Sequence, residues 1–244
     1  MILDAAARTV LMPVLLLQAV YLRMTVLRLP EPDGAREGKV GQGPPLRLTI
    51  LGDSSAAGVG VADQQDALLG QVNHRLAPHF TTDYRLIAAT GSRTGDVLGW
   101  LQDMQALDAD VAVIALGVND VTKGVSLRRW LRQQSALLDR LVHDFGVKYV
   151  VVSGLPPMHD FPLLPQPLRW VLGRQAARFD KALHEMVAER RDATSITIDM
   201  RLNRENMSED GFHPGPVVYS AWADAVAAQI LDHAALLDGT DRNA

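Results

Sequence analysis

The stretch Leu46-Arg47-Leu48-Thr49-Ile50-Leu51-Gly52-Asp53-Ser54-Ser55-Ala56-Ala57-Gly58 decides the fold. It opens as a short, largely apolar run of strand length and ends in a glycine-punctuated turn that delivers small polar residues to the strand's carboxyl end. Four further apolar runs follow, at residues 84–89, 111–116, 149–153 and 195–198. Amphipathic helical patterns lie between and after them, over residues 66–76, 97–107, 127–145, 172–190 and 219–237. Near-continuous apolar strands joined by helices predict a parallel sheet covered on both faces. Right-handed crossovers make it a doubly wound α/β fold, a three-layer α/β/α sandwich with a five-stranded parallel sheet. In such sheets reactive groups gather at the carboxyl ends of the strands, where the turn at 52–58 falls.

The composition narrows the chemistry. A chain of 244 residues, 48% hydrophobic and 21% charged, suits one globular domain with an appendage. Acidic residues outnumber basic ones 28 to 24, and no basic face interleaved with aromatics occurs, so nucleic acid is not an expected partner. The absence of cysteine excludes disulfides, thiolate metal sites and a thiol nucleophile. His74, His79, His143, His159, His184 and His233 lack metal-ligand spacing, so neither metal nor cofactor is expected. Trp100, Trp130, Trp170 and Trp222 fall in helical patterns and read as packing.

The amino-terminal segment stands apart. Residues 9–22 are uncharged and mostly apolar, flanked by Arg8, Arg23 and Arg28. The run is shorter than the roughly 20 residues of a plain membrane span and contains Pro13 and Gln18. Asp4 and the lack of a small-x-small site argue against a cleavable signal peptide. Residues 1–30 are therefore read as an apolar helix. It either meets a membrane peripherally through residues 9–28 or docks on the domain's own surface, and the protein is accordingly cytoplasmic or membrane-associated. Residues 31–45, rich in Gly, Pro and charge, read as a linker, and residues 46–244 as the folded domain.

Three readings compete for the turn at 52–58. A phosphate-binding loop requires Gly-Lys-Ser/Thr, yet no lysine stands between Lys39 and Lys123. A dinucleotide site requires an acidic residue ending the second strand, where Ala88, Ala89 and Thr90 stand instead. A bare turn with a helix cap explains Asp53 and Ser54 but not what lies downstream. Gly117-Val118-Asn119-Asp120 follows the third strand, and Asp210-Gly211-Phe212-His213-Pro214 precedes the last helix. A serine hydroxyl attacks well only when a histidine takes its proton and a carboxylate orients that histidine. Asp210 and His213, on one loop, supply both to Ser54; Asp199, ending the fifth strand, is the alternative carboxylate.

Taken together, Gly52-Asp53-Ser54, Gly91, Gly117-Val118-Asn119-Asp120 and Asp210-Gly211-Phe212-His213-Pro214 resemble the ordered blocks of the SGNH, or GDSL-like, hydrolases over residues 46–237. The resemblance implies a sheet of flavodoxin-like order in an SGNH hydrolase domain at 46–244. It implies Ser54 as nucleophile, His213 as general base and acid, and Asp210 as its partner. It further implies an oxyanion hole from the N–H of Ser54, the N–H of Gly91 and the side-chain amide of Asn119. Gly95 is the alternative to Gly91, and the asparagine usual in that block is missing here.

Residues 154–173 form a long, proline-rich and unusually apolar connection, read as an acyl-binding wall or lid through Met158, Phe161, Leu163 and Leu164, or else as a structural flap. The expected activity is cofactor-free hydrolysis of small carboxylic esters with short to medium acyl chains. Carbohydrate O-deacetylation, acyl-thioester hydrolysis and lysophospholipid hydrolysis use the same chemistry. A catalytically idle, membrane-associated binding module is the reading from outside the enzymes.

Overall fold

The computed structural model describes residues 2–198 and 200–241. The chain runs α1 (Ile2–Thr25), β1 (Glu37–Gly41), β2 (Pro45–Gly52), α2 (Ser54–Ala57), α3 (Leu68–Leu76), β3 (Thr81–Ala88), α4 (Thr94–Gln102) and β4 (Val111–Ala115). It continues through α5 (Val118–Thr122), α6 (Leu127–Asp139), β5 (Tyr149–Ser153), α7 (Leu168–Ala188), β6 (Ala193–Ile196) and α8 (Pro216–Asp241). The sheet order is β1-β3-β2-β4-β5-β6, and β2 to β6 pair in parallel. The five-stranded parallel sheet is present.

A sixth strand corrects the reading of 31–45 as a linker. Strand β1 pairs antiparallel with β3 from Glu37 opposite Arg85 to Gly41 opposite Thr81. Its residues, EGKVG, are almost all exposed and show no apolar alternation. The ladder's backbone hydrogen bonds hold this edge strand, and they leave no mark on side-chain pattern.

Side-chain alternation along the strands builds the layers. Leu48 and Ile50 of β2, Val113 of β4 and Val151 of β5 join Leu68, Val72, Leu76, Trp222 and Val226 under α3 and α8. Leu51, Ile114, Val150 and Val152 face the other way, toward Val97, Leu101, Trp130, Leu137 and Phe179 of α4, α6 and α7. Trp130 stacks on Phe179 with ring centroids 4.8 Å apart. Trp170 departs from the packing expected of all four tryptophans, because at the start of α7 it stays 37% exposed.

Helix α1 docks on the domain beside α7. Leu15 is buried, Leu11 and Leu22 pack on the core, and Gln18 makes two hydrogen bonds across the contact. Its Nε2 donates to the carbonyl of Gln166 at 2.7 Å, and its Oε1 accepts from the N–H of Leu168 at 3.1 Å. No helix among the described residues is long and apolar enough to cross a membrane.

Candidate active site

The site begins where β2 runs out. At Gly52 a side chain would put Cβ 2.3 Å from Ala56 Cβ and 2.6 Å from the carbonyl oxygen of Ala115, so only glycine lets α2 fold back this closely. Asp53 caps α2, its Oδ1 accepting from the N–H of Ser55 at 3.0 Å. Ser54 is the first residue of α2, where a backbone N–H has no intrahelical partner and the helix end favours negative charge. Its side chain lies at the sheet's carboxyl edge.

From the other side comes the loop before α8. Gly211 takes φ +65° and turns the chain so that residues 210–213 wrap around one carboxylate. Asp210 Oδ1 accepts from Ser208 Oγ at 2.7 Å and from the N–H groups of Phe212 and His213 at 2.8 and 2.9 Å. Its Oδ2 lies 2.5 Å from His213 Nδ1, and His213 Nε2 lies 2.9 Å from Ser54 Oγ. Burial by itself would raise the Asp210 pKa. The hydrogen bonds from the His213 ring and backbone and from Ser208 outweigh it and hold the carboxyl well below the usual range. An ionised carboxylate only accepts, so Nδ1 carries a proton, and in the neutral ring Nε2 is left to accept from the Ser54 hydroxyl.

A second layer of contacts positions Asn119. It stands in the first turn of α5, after Gly117 at φ +142°, and its Nδ2 donates to Asp53 Oδ2 at 3.0 Å. Burial pushes the Asp53 pKa up to about 6, against the lowering effect of the Ser55 and Asn119 hydrogen bonds and the nearby His213. Gly91 takes φ +82° in the loop after β3, and Lys123 Nζ donates to its carbonyl at 2.5 Å. Gly95 instead lies within α4, where a Cβ would meet Gln133 Nε2 at 2.4 Å; its smallness serves helix packing. Asp120 is fully buried and accepts from Thr94 N and Oγ1 at 3.0 and 2.9 Å, tying the β3–α4 loop to α5.

An apolar cleft opens between the ends of β4 and β5 and the loop before α8, lined by Leu116, Leu155, Phe161, Met207, Phe212 and Trp222 among others. Of the four residues read as an acyl wall or lid, Phe161 lines this cleft and meets Phe212 edge-on, centroids 5.2 Å apart. Leu163 pins the segment to the His213 loop, its N–H donating to the Gly211 carbonyl at 3.0 Å. Met158 and Leu164 are buried in the core, a correction to their expected place beside the substrate. Their lack of alternation reflects burial: the turn Met158–Asp160 packs on Gly173 of α7, where a Cβ would come 2.6 Å from that of His159. The segment is a packed wall rather than a free lid.

Ser208 and Lys123 are the contributors that sequence reading missed. A hydroxyl two residues before Asp210 was the only signal for the first; the second reaches Gly91 across 32 positions. Asp199, the alternative carboxylate, lies outside the described residues. A second cluster joins His184 Nδ1 to Ser195 Oγ at 2.5 Å, with Asp180 Oδ1 3.4 Å from His184 Nε2. That Asp180 oxygen also accepts from Leu155 N at 2.8 Å, so the cluster fastens β6 and the β5 loop to α7.

Known proteins resemble the chain at the level of family and of fold. The family model described as the GDSL-like lipase/acylhydrolase family matches residues 50–221, a span that includes Ser54, Gly91, Asn119, Asp210 and His213. No curated protein is matched. Among solved structures the chain is similar to a lipase from a goat rumen metagenome, at 19% identity and a TM-score of 0.60, covering 75% of this chain and 96% of that one. It is similar to the psychrotrophic esterase EstA of Pseudoalteromonas sp., at 15% identity and a TM-score of 0.56, covering 75% and 98%. A family 3 carbohydrate esterase of Clostridium thermocellum gives 16% identity and a TM-score of 0.61 over 79% and 98%. At such identities the structural likenesses speak for the fold, whereas the family model covers most of the domain. The chain belongs to the GDSL-like lipase/acylhydrolase family, whose members are hydrolases acting on esters.

Proposed function

We propose that the protein is a serine esterase for carboxylic esters of short to medium acyl chain, with Ser54, His213 and Asp210 as its catalytic triad. The observation that carries this reading is the unbroken hydrogen-bonded chain from Ser54 Oγ through His213 to Asp210, with links of 2.9 and 2.5 Å. Ser54 Oγ bonds to the acyl carbon as His213 Nε2 takes its proton. The carbonyl oxygen becomes an oxyanion, received by the N–H groups of Ser54 and Gly91 and the Asn119 amide. The intermediate then breaks its bond to the alcohol oxygen, which leaves with the proton from His213. Water repeats the sequence on the acyl-enzyme, giving the carboxylic acid and free Ser54.

The apolar cleft, which reaches Asp53 and Ser55 on either side of Ser54 in the chain and is lined by Phe161 and Phe212, supports an alkyl acyl group over a sugar as the part the enzyme grips. The test is hydrolysis of p-nitrophenyl acetate, butyrate, octanoate and palmitate by wild type and Ser54→Ala. Wild type should turn over, best on acetate to octanoate, and the variant should lose about 10³-fold or more in kcat. A Ser54→Ala variant as active as wild type would remove the proposed nucleophile. Activity confined to acetylated sugars would replace the substrate class and keep the mechanism.

A further inference from the structure

Helix α1 is held at a fixed rotation, and that rotation turns apolar side chains outward. Leu11, Leu15, Gln18 and Leu22, at helical spacing, form its inner stripe, and both ends of the Gln18 amide are committed to the protein. On the opposite side Leu17 is 72% exposed, Val20 56% and Met24 80%. Nine of the twelve exposed large hydrophobic residues among those described fall between Val10 and Leu27. Scattered exposed leucines need no explanation; a contiguous stripe along one helix does.

Charge and rim chemistry name the partner. Residues 1–30 contain Arg8, Arg23 and Arg28 against a single acidic residue, Asp4, a local side-chain charge of +2 in a chain of formal net charge −4. Arg23 and Arg28 are exposed. Tyr21 is 64% exposed, and Trp170 lies under the guanidinium of Arg174, 5.5 Å from its ring centroid, at the α7 end that Gln18 touches. An apolar stripe rimmed by arginine, tyrosine and tryptophan suits the boundary between acyl chains and anionic headgroups, where such side chains place an apolar body below a polar tip.

We propose that α1 is a peripheral anchor lying in the plane of an anionic lipid surface, with Leu17, Val20 and Met24 inserted and Arg23 and Arg28 among the phosphates. It lies flat because Gln18 and the inner leucines stay on the protein. The proposal stands independently of the esterase reading.

The test is sedimentation of the full chain with 100 nm vesicles of equimolar phosphatidylcholine and phosphatidylglycerol, and with phosphatidylcholine alone, at low and high salt. Wild type should sediment with the anionic vesicles, less at high salt and less with the neutral ones. Val20→Glu with Met24→Glu should lower partitioning at least tenfold, leaving circular dichroism and p-nitrophenyl butyrate turnover unchanged. Arg23→Gln with Arg28→Gln should lower it about tenfold or more on anionic vesicles only. Wild type remaining in the supernatant at low salt, or Val20→Glu with Met24→Glu binding as tightly as wild type, would overturn the proposal. So would light scattering that finds a dimer made monomeric by those glutamates with no vesicle binding, which would assign the stripe to a second copy.

Discussion

At Asp53, two carboxylate oxygens serve two elements: Oδ1 caps α2 and Oδ2 holds the Asn119 amide that the proposed mechanism aims at the oxyanion. Substituting Asn119 with Ala should lower kcat by about 10²-fold to 10³-fold with KM little changed, because in the proposed mechanism its donor acts where charge develops. Asp53 shows how stability and activity pull apart. Its folded pKa, about 6, lies above that of an unfolded aspartate, so the folded state holds the extra proton between those values. Whatever stability this group adds is therefore present at low pH and lost as pH rises through about 6. Asp53→Asn should raise Tm at pH 8 yet lower kcat, since an amide presents a donor where Asn119 needs an acceptor; thermal melts beside steady-state kinetics read both. Asp210 has the opposite sign. Its lowered pKa contributes stability above the unfolded carboxylate range that fades as pH falls below it. That Ser54, His213 and Asp210 come together was legible in the sequence because each sits in a short block with its own chemistry. The reach of Asp53 to Asn119, 66 positions away, was not, because a single aspartate in a turn reads only as a cap.

Among the elements, the β2–α2 turn and the wall at 154–167 carry the testable packing. Gly52→Ala should cost several kcal/mol of stability and abolish turnover, since its Cβ would collide with Ala56 and the Ala115 carbonyl; a Tm within a degree or two of wild type would contradict this crowding. Phe161→Ala removes a buried ring from the cleft side of the wall. It should destabilise by roughly 3 kcal/mol and shift the acyl-length optimum upward as the cleft lengthens. An unchanged p-nitrophenyl ester profile would take Phe161 out of the acyl site. Strands β4 and β5 were legible because burial on both faces makes them near-continuous apolar runs, and β2 because its largely apolar run, broken by Arg47 and Thr49, ends in a glycine turn. Strand β1 was not, since an exposed edge strand has no apolar face to display. The wall was recognised as apolar, but which of its side chains face the cleft depends on how the Met158–Asp160 turn seats on Gly173.

Over the whole molecule, a doubly wound sheet brings residues separated by 159 positions within a hydrogen bond, as Ser54 and His213 are. Two apolar layers, one on each face of the sheet, hold the ends of β2, β4 and the loop before α8 at one edge, so the site is a product of topology. The central claim is that Ser54 is the nucleophile, and covalent labelling tests it most directly. Intact-mass analysis and peptide mapping after reaction with a fluorophosphonate should find one adduct, on Ser54, absent from Ser54→Ala and strongly slowed in His213→Ala. An adduct on Ser195, or none while the wild type still hydrolyses p-nitrophenyl butyrate, would contradict the account.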